Sequence, residues 1–248
     1  MGEASAKAFA ANGGAVVVAD LRPEHAERVA ADIVEEGGQA AWIGMDVSSE
    51  DDIRHAVEAA IARFDSLDVL INTSALIRAA PLEDGPLDVW RSCFDVNVHG
   101  ALMLANACLP HLRNSQAAAI VNVASLAGLH GYPKGGAYGP SKAALITLSR
   151  QMALEWAHEG VRVNVVNPGT IDTPMSRSTV RADVLTERAK TIPLGRLGKS
   201  AEVADLILFL ASPAASYITA QNFNCDGGLS QSLFAQPMGL NATEDRLA

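Results

Sequence analysis

The segment Ala15-Val16-Val17-Val18-Ala19-Asp20 begins with five apolar residues and ends on an acidic one. A strand that is apolar at every position, rather than at alternate positions, is typical of a parallel sheet covered by helices on both faces. The next stretch, Glu24 to Glu35, has the spacing of an amphipathic helix. These two segments therefore predict one strand and one helix of a parallel α/β sheet.

The same order recurs along the whole chain. Further strands are expected at 40–44, 69–72, 119–123, 161–167 and 218–224, and further helices at 3–11, 50–63, 87–112, 137–158 and 201–211. Strict alternation implies right-handed crossovers and a doubly wound sheet. We predict a single α/β domain over residues 1–248, with 173–200 as a substrate loop and 231–248 as a C-terminal tail.

Composition excludes several classes of protein. The chain has 248 residues, 49% of them hydrophobic, and a formal net charge of -9. This acidity argues against binding to nucleic acid or to an anionic membrane, because both need a cationic surface. No apolar run is long enough to span a bilayer, and the first residues do not resemble a signal peptide. We therefore expect a cytoplasmic protein.

The cysteines and histidines give no sign of a metal site. Cys93, Cys108 and Cys225 are an odd number without C-x-x-C spacing, which is typical of free thiols in a reducing compartment. The six histidines form no H-E-x-x-H pattern or paired cluster. The sequence therefore predicts no bound metal.

Three polar residues have a spacing with chemical meaning. Ser125 follows the strand 119–123, Tyr138 comes 13 residues later, and Lys142 lies four residues beyond Tyr138. Residues four apart share a helix face, so the ammonium of Lys142 can lie near the phenol of Tyr138 and lower its pKa from about 10. Pro140, between them, is compatible with a helix only in its first turn. A Y-x-x-x-K pattern alone is more often a surface pair, and a serine after a strand is usually a turn residue.

With Asn97 included, this spacing resembles the short-chain dehydrogenase/reductase family over Gly2 to Gly228. The resemblance implies a Rossmann-like fold in which Tyr138 is the general acid/base and Ser125 hydrogen-bonds the substrate oxygen. It implies that Lys142 both biases the tyrosine and binds the nicotinamide ribose. Asn97 matches the helix asparagine that anchors a water for proton relay, whereas an isolated helical asparagine would ordinarily bond nearby backbone.

The resemblance also indicates a cofactor site. Asp20 at a strand end would bind the adenosine ribose hydroxyls and repel a 2′-phosphate, which favours NAD over NADP, although Arg22 could serve a phosphate. Helix capping is the lesser interpretation of Asp20. The other implied contacts lie at the ends of later strands: Asp46 and Val47 at the adenine, Asn72 on the adenosine side, and Ile171 and Thr173 at the carboxamide. Asp46 could equally cap the helix that begins near Glu50.

One departure concerns the start of the chain. Family members begin with a strand and a glycine-rich turn, of which this sequence matches only the end, at Gly2. The family's strand order makes that missing first strand central, so its neighbours are expected about 10 Å apart. We expect translation to start upstream of Met1.

The leading hypothesis is an NAD(P)-dependent oxidoreductase that interconverts a small-molecule secondary alcohol and its ketone. One alternative is an NADPH-dependent 3-oxoacyl-carrier-protein reductase. Another is a binding or assembly protein that has lost its cofactor site with the glycine loop. The resemblance further implies a homotetramer that uses the helices 87–112 and 137–158, although sheet packing explains the apolar faces of these helices equally well.

Overall fold

Parallel strands alternate with helices along residues 1–232, which are the residues that the computed structural model describes. The tail predicted at 231–248 lies outside the described residues from position 233 onward. The main strands are β1 (Ala15–Asp20), β2 (Gln39–Gly44), β3 (Val69–Asn72), β4 (Ala119–Val123), β5 (Arg162–Pro168) and β8 (Asn222–Cys225), with a short pair, β6 (Ile171–Asp172) and β7 (Gly198–Lys199). The helices are α1 (Gly2–Ala11), α2 (Pro23–Glu35), α3 (Glu50–Phe64), α4 (Leu87–Phe94), α5 (Gly100–Leu112), α6 (Tyr138–Trp156), α7 (Pro174–Thr179), α8 (Ala182–Thr191) and α9 (Ser200–Ala211).

The helix boundaries follow ordinary capping chemistry. Ser49 caps α3 by accepting a hydrogen bond from the backbone N–H of Asp52, and three acidic residues occupy the first turn of that helix. A negative charge at a helix N-terminus is stabilised by the unpaired N–H groups there. The helix ends at Asp65, whose backbone is left-handed. Asp46 therefore does not cap α3, and the capping alternative that its position suggested is wrong.

The predicted parallel topology is confirmed, with one break in the sheet. Strands β3, β4, β5 and β8 are hydrogen-bonded in that order, while β1 and β2 form a separate parallel pair. Within residues 1–232, no strand lies between β1 and β3. This is the position in which the family's strand order places its first strand.

Helix α1 joins the two parts of the sheet. Met1 and Phe9 pack against the apolar cluster of β4, β5 and α9. On another side of α1, Ala6 and Ala10 contact the cluster of α2 that contains Ile33. Ion pairs from Lys7 to Asp32 (2.8 Å) and from Arg28 to Glu3 (2.6 Å) also link α1 to α2. The β1–β2 pair is therefore held to the four-stranded sheet through helix packing.

The core lies on both faces of β4, which is buried at every position. On one face Val121 and Val123 pack against α9, and on the other Ile120 packs among residues of α3, α5 and α6. Two-sided coverage explains why this strand is apolar without alternation, apart from the hydrogen-bonded Asn122. The apolar runs in the sequence thus predicted the buried strands β4 and β5 correctly, whereas β1 and β2 are only partly buried.

Two elements differ from their predictions. The helix expected at 87–112 is interrupted by a π-helical turn, Asp95–His99, between α4 and α5. The strand expected at 218–224 begins only at Asn222, because Ala220 has a left-handed backbone with φ of 58°. Left-handed backbone ends strand pairing, and hydrophobicity alone does not reveal it.

The segment predicted as a substrate loop, 173–200, is largely helical. It contains α7 and α8, and at its end β7 pairs in parallel with β6. Among residues 1–232, no helix combines the length and apolar character that a membrane span needs.

Gly100, the first residue of α5, allows the helix to pass close to Val47 in the segment that follows β2. A Cβ on Gly100 would lie 2.6 Å from the backbone oxygen of Val47. We predict that Gly100→Ala lowers the free energy of unfolding by about 1–3 kcal/mol, because neither backbone segment can move freely. Urea unfolding would measure the loss.

Gly131→Ala is the matched control, since nothing lies within 4 Å of a Cβ at Gly131. Equal stability of Gly100→Ala and the wild type would show that the contact relaxes at no cost.

Candidate active site

Most of the predicted site residues lie at one edge of the sheet. All the strands are parallel, so their carboxyl ends share an edge. Asp20 and Asn72 end β1 and β3, Ser125 follows β4, and Ile171 follows β5. Ligands bind at this edge in open α/β sheets. The topology thus brings together residues that are far apart in the sequence.

Helix α6 begins at Tyr138, which places Pro140 in its first turn as predicted. Lys142 is 1% exposed, and its Nζ donates a hydrogen bond to the carbonyl oxygen of Val123 over 2.9 Å. The same Nζ lies 6.0 Å from the centre of the Tyr138 ring. A buried cation on α6, hydrogen-bonded to the end of β4, therefore lies close to the phenol.

Ser125 approaches Tyr138 because a short 3₁₀ turn, Leu126–Gly128, packs tightly on α6. A Cβ on Gly128 would lie 2.8 Å from the backbone of α6, and one on Gly139 would lie 2.9 Å from the carbonyl oxygen of Ala127. The Ser125 hydroxyl accepts a hydrogen bond from the N–H of Ala127 and lies within hydrogen-bonding reach of the phenol. The two glycines thus permit the contact between serine and tyrosine.

The pKa values of the tyrosine and lysine are both set mainly by burial. Burial raises the pKa of Tyr138, and the hydrogen bond with Ser125 opposes that rise. Burial lowers the pKa of Lys142 to about 8. The expected lowering of the phenol pKa by Lys142 is therefore wrong for this structure, because the ammonium is 6.0 Å from the ring centre and is bonded to Val123.

Asn97 fastens the loop after β3 to α6. Its Oδ1 accepts from the N–H of Leu76 at 2.7 Å, and its Nδ2 donates to the carbonyl of Leu76 at 2.9 Å. The same Nδ2 contacts Ser141 Oγ at 2.9 Å and Cys93 Sγ at 3.2 Å. The side chain is 1% exposed and fully bonded, so any water that Asn97 holds must be bound through its backbone.

Sequence reasoning missed Cys93 and Ser141 as partners of Asn97. Ser141 lies in the Tyr138-to-Lys142 segment and Cys93 lies one turn before Asn97, but polar identity at those positions has no distinctive pattern. It also missed Tyr132, whose ring meets that of Tyr138 edge-on with 6.4 Å between centres. His130, two residues before Tyr132, is exposed.

A second buried network fixes Asn72. Asn72 Nδ2 donates to Asn122, and Asn72 Oδ1 accepts from the N–H of Ser74. Asn122 in turn donates to Ser149 on α6. The side-chain amide of Asn72 is therefore committed within the protein. Any cofactor contact in this loop has to come from the backbone or from Thr73.

The adenosine end of the predicted cofactor site is polar and partly exposed. Asp20 Oδ1 accepts from the N–H of Arg22, while the Arg22 side chain is 3.8 Å away. Asp20 Oδ2 has no hydrogen-bond partner among residues 1–232. Asp46 binds Ser48 twice through Oδ1, and Val47 beside it is buried. Asp20 Oδ2 is thus an acceptor that the described residues leave open at this end.

At the other predicted contacts, Gly2 lies beside Thr73, and a Cβ on Gly2 would come 2.8 Å from Thr73 Oγ1. Ile171 is buried in β6, and Thr173 caps α7 by accepting from the N–H of Ser176. The open Asp20 acceptor at the end of β1 and the Lys142 ammonium beside Tyr138 fit a dinucleotide along this edge. Within residues 1–232, no three His, Cys, Asp or Glu side chains are grouped as a metal site requires.

The buried lysine predicts an unusual pH dependence of stability. Its pKa is about 8 in the folded protein and 10.5 ordinarily, so the unfolded chain binds more protons between these values. The buried ammonium therefore lowers the free energy of unfolding at neutral pH, and this destabilisation disappears as the pH rises from 8 to 10.5. Relative to Lys142→Met, the wild type should gain about 2 kcal/mol of unfolding free energy between pH 7.5 and 9.5.

Urea unfolding of both proteins at the two pH values would measure this gain. Comparing the two proteins removes the opposite contribution of buried thiols such as Cys108, whose pKa is raised to about 12. Lys190→Met, at an exposed lysine, is the control. A difference between wild type and Lys142→Met that does not change with pH would contradict the prediction.

Comparisons with known proteins agree with this geometry. Residues 1–230 match a family model described as enoyl-(acyl carrier protein) reductase. The chain is 36% identical over 229 residues to cis-4-hydroxycyclohexanecarboxylate dehydrogenase of Sinomonas cyclohexanicum, covering 92% of this chain and 91% of that protein. It is 34% identical over 234 residues to 3-oxoacyl-[acyl-carrier-protein] reductase FabG of Thermotoga maritima, covering 92% and 93%.

A solved structure is similar over nearly the same length. It is a 7α-hydroxysteroid dehydrogenase complexed with NADH and 7-oxo glycochenodeoxycholic acid, with a TM-score of 0.88 and 30% sequence identity, covering 91% of this chain and 88% of that chain. One assignment follows from the matched length, the parallel fold and the contact of Ser125 with Tyr138 next to the buried Lys142. The chain belongs to the short-chain dehydrogenase/reductase family.

Proposed function

We propose that this protein is an NAD-dependent oxidoreductase that interconverts a secondary alcohol and its ketone, with Tyr138 as the acid/base. The observation that supports this most directly is the Ser125 hydroxyl within hydrogen-bonding reach of the Tyr138 phenol, with the Lys142 ammonium 6.0 Å from its ring. Relatives that act on ring-borne alcohols or ketones favour a cyclic substrate.

Each residue has a separate task in the proposed reaction. Ser125 binds the substrate oxygen, and Tyr138 gives that oxygen a proton during reduction or takes one during oxidation. A phenol whose pKa is raised is protonated at neutral pH, which suits proton donation to a ketone. Lys142 would bind the nicotinamide ribose through its ammonium, which is charged below about pH 8. When bound, the nicotinamide group supplies or accepts the hydride.

Asp20 supports NAD over NADP. Its free carboxylate oxygen can accept from ribose hydroxyls, whereas a 2′-phosphate would be repelled. Arg22 offsets only part of this charge, since its side chain is 3.8 Å from the other oxygen and is largely exposed. Gly2, Lys142, Ile171 and the backbone around Val47 and Asn72 complete the proposed cofactor contacts, and Thr173 contributes through its backbone because its hydroxyl caps α7.

Two other functions have specific support. A 3-oxoacyl-carrier-protein reductase is suggested by the Thermotoga relative, and a preference for NADPH in a cofactor titration would favour it. A cofactor-free binding protein is the other alternative, since within residues 1–232 no strand joins β1 to β3. Fluorescence titration with NADH decides that question, because a protein of this kind would give no saturable signal.

Assembly and location are proposed on more general grounds. Leu102 on α5 and Leu154 on α6 are exposed, at 36% and 74%, and would be covered in a homotetramer that uses these helices. We place the protein in the cytoplasm, where its unpaired cysteines would remain reduced.

Removing the phenol oxygen tests the proposed acid/base. We predict that Tyr138→Phe lowers kcat by at least about 100-fold, because the proton donor is lost, while NADH binding stays within about twofold of the wild type. Steady-state kinetics and NADH titration measure the two effects. Tyr217→Phe, at a fully exposed tyrosine, is the matched control. Substantial turnover by Tyr138→Phe would assign proton transfer to another group.

Replacing the carboxylate tests the cofactor preference. We predict that Asp20→Ser raises kcat/KM for NADP relative to NAD by about tenfold or more, because repulsion of the 2′-phosphate is removed while Arg22 remains. Kinetics with both cofactors measure the ratio. An unchanged ratio would mean that Asp20 does not face the ribose.

A further inference from the structure

Two loops form a rim beside Tyr138, which we call the substrate mouth and define as residues 76–82 and 129–136. Ala80 and Gly135 form a parallel β-bridge between them. Gly136 has a φ of 57°, and a Cβ on it would lie 2.8 Å from the carbonyl oxygen of Arg78. The backbone of Arg78 therefore passes directly beside a residue that is two positions from the acid/base.

The first loop of the mouth is fixed at both ends. Asn97 binds both the N–H and the carbonyl of Leu76, and the bridge holds Ala80. Arg78 lies midway between these two attachments. The backbone of Arg78 is therefore already fixed before a ligand binds, and binding costs it little further conformational entropy.

The inner part of the mouth is apolar. The Tyr132 ring is 39% exposed and meets the Tyr138 ring edge-on, and Leu129 nearby in the chain is 38% exposed. Gly135 lies against Tyr132, since a Cβ on Gly135 would come 2.2 Å from that ring. The aromatic ring is thus held beside the acid/base with part of its surface open, as an aliphatic ring of a substrate requires.

The outer part of the mouth is cationic. Arg78 and Lys134 are exposed, and within residues 1–232 neither side chain has a hydrogen-bond or ion-pair partner. Several other exposed arginines are paired with carboxylates, for example Arg177 with Asp172 at 2.7 Å and Arg196 with Glu202 at 2.6 Å, whereas Arg91 and Arg150 have no such partner within residues 1–232. Acidic residues are also close along the chain, at Glu83 and Asp84, but they form no ion pair with either cation.

We propose that the substrate mouth selects cyclic secondary alcohols, or the matching ketones, that also have a carboxylate group. The carbinol or ketone oxygen lies at Ser125 and Tyr138, the aliphatic ring packs against Tyr132, and the carboxylate binds Arg78 with support from Lys134. Arginine binds carboxylates in a bidentate geometry, while lysine acts as a flexible point charge. This inference rests on the proposed function and adds the class of substrate to it.

The test compares two substrates of similar shape and different charge, 4-hydroxycyclohexanecarboxylate and 4-methylcyclohexanol, with NAD as cofactor. The wild type should have the higher kcat/KM for the acid, and added salt should reduce the preference. Arg78→Gln should lower the ratio of the two kcat/KM values about fivefold, and Lys134→Gln should lower it less, as partly exposed charge pairs do. Arg150→Gln, at an exposed arginine on α6, is the matched control and should keep the wild-type ratio.

A ratio that is the same in the wild type and Arg78→Gln overturns the inference. The inference is also overturned if Arg78→Gln lowers kcat/KM for an acyl-carrier-protein thioester and for neither alcohol, because the cation would then bind a macromolecular substrate.

Binding without turnover separates this inference from the proposed function. If the wild type oxidises neither alcohol, the proposed function fails, and saturation-transfer NMR with unreactive cyclohexanecarboxylate then tests the mouth by itself. Binding that weakens severalfold in Arg78→Gln, but not in Arg150→Gln, supports the inference. Binding that is absent, or equal in both variants, overturns it. Thermal unfolding of each variant checks that the surface substitutions leave the fold intact.

Discussion

The hydrogen bond from the buried Lys142 ammonium to the carbonyl of Val123 holds the active site together. It joins the first turns of α6 to the end of β4, over 2.9 Å in a buried environment. Since Tyr138 begins that helix and Ser125 follows that strand, the bond also determines how the phenol meets the serine hydroxyl. Burying a cation is costly, and its lowered pKa is the sign of that cost.

Asn97 performs a similar task for the other wall of the site. Its amide binds both backbone groups of Leu76 and also contacts α6 at Ser141. The π-helical turn around Asn97 adds a residue to the helix, and such turns are frequent at functional sites. The loop that begins at Leu76 and the helix that begins at Tyr138 are therefore tied to one side chain. The proposed position of Arg78 depends on this attachment.

The break between β1 and β3 places unusual weight on α1. In a continuous sheet, strand pairing joins the two halves, whereas here α1 does so by packing against α9 on one side and α2 on the other. Ion pairs of α1 with Asp32 and Arg28 reinforce the contact, although partly exposed pairs each contribute little. The adenosine end of the proposed cofactor site belongs to the β1–β2 pair, and the proposed catalytic residues lie at the end of β4 and on the helices beside the four-stranded sheet.

The sequence alone determined the parallel α/β sheet, because runs without polar alternation, such as Val16 to Val18 and Ala119 to Val121, are typical of strands covered on both faces. It also determined that Tyr138 begins a helix, since Pro140 has no other place in one. Only the tertiary structure decided that burial raises the pKa of Tyr138, that Asn97 bonds Leu76 and Cys93, and that Arg78 lies beside Gly136. Periodicity reports which face of an element is buried, whereas these contacts join residues distant in sequence whose distances depend on how the elements pack.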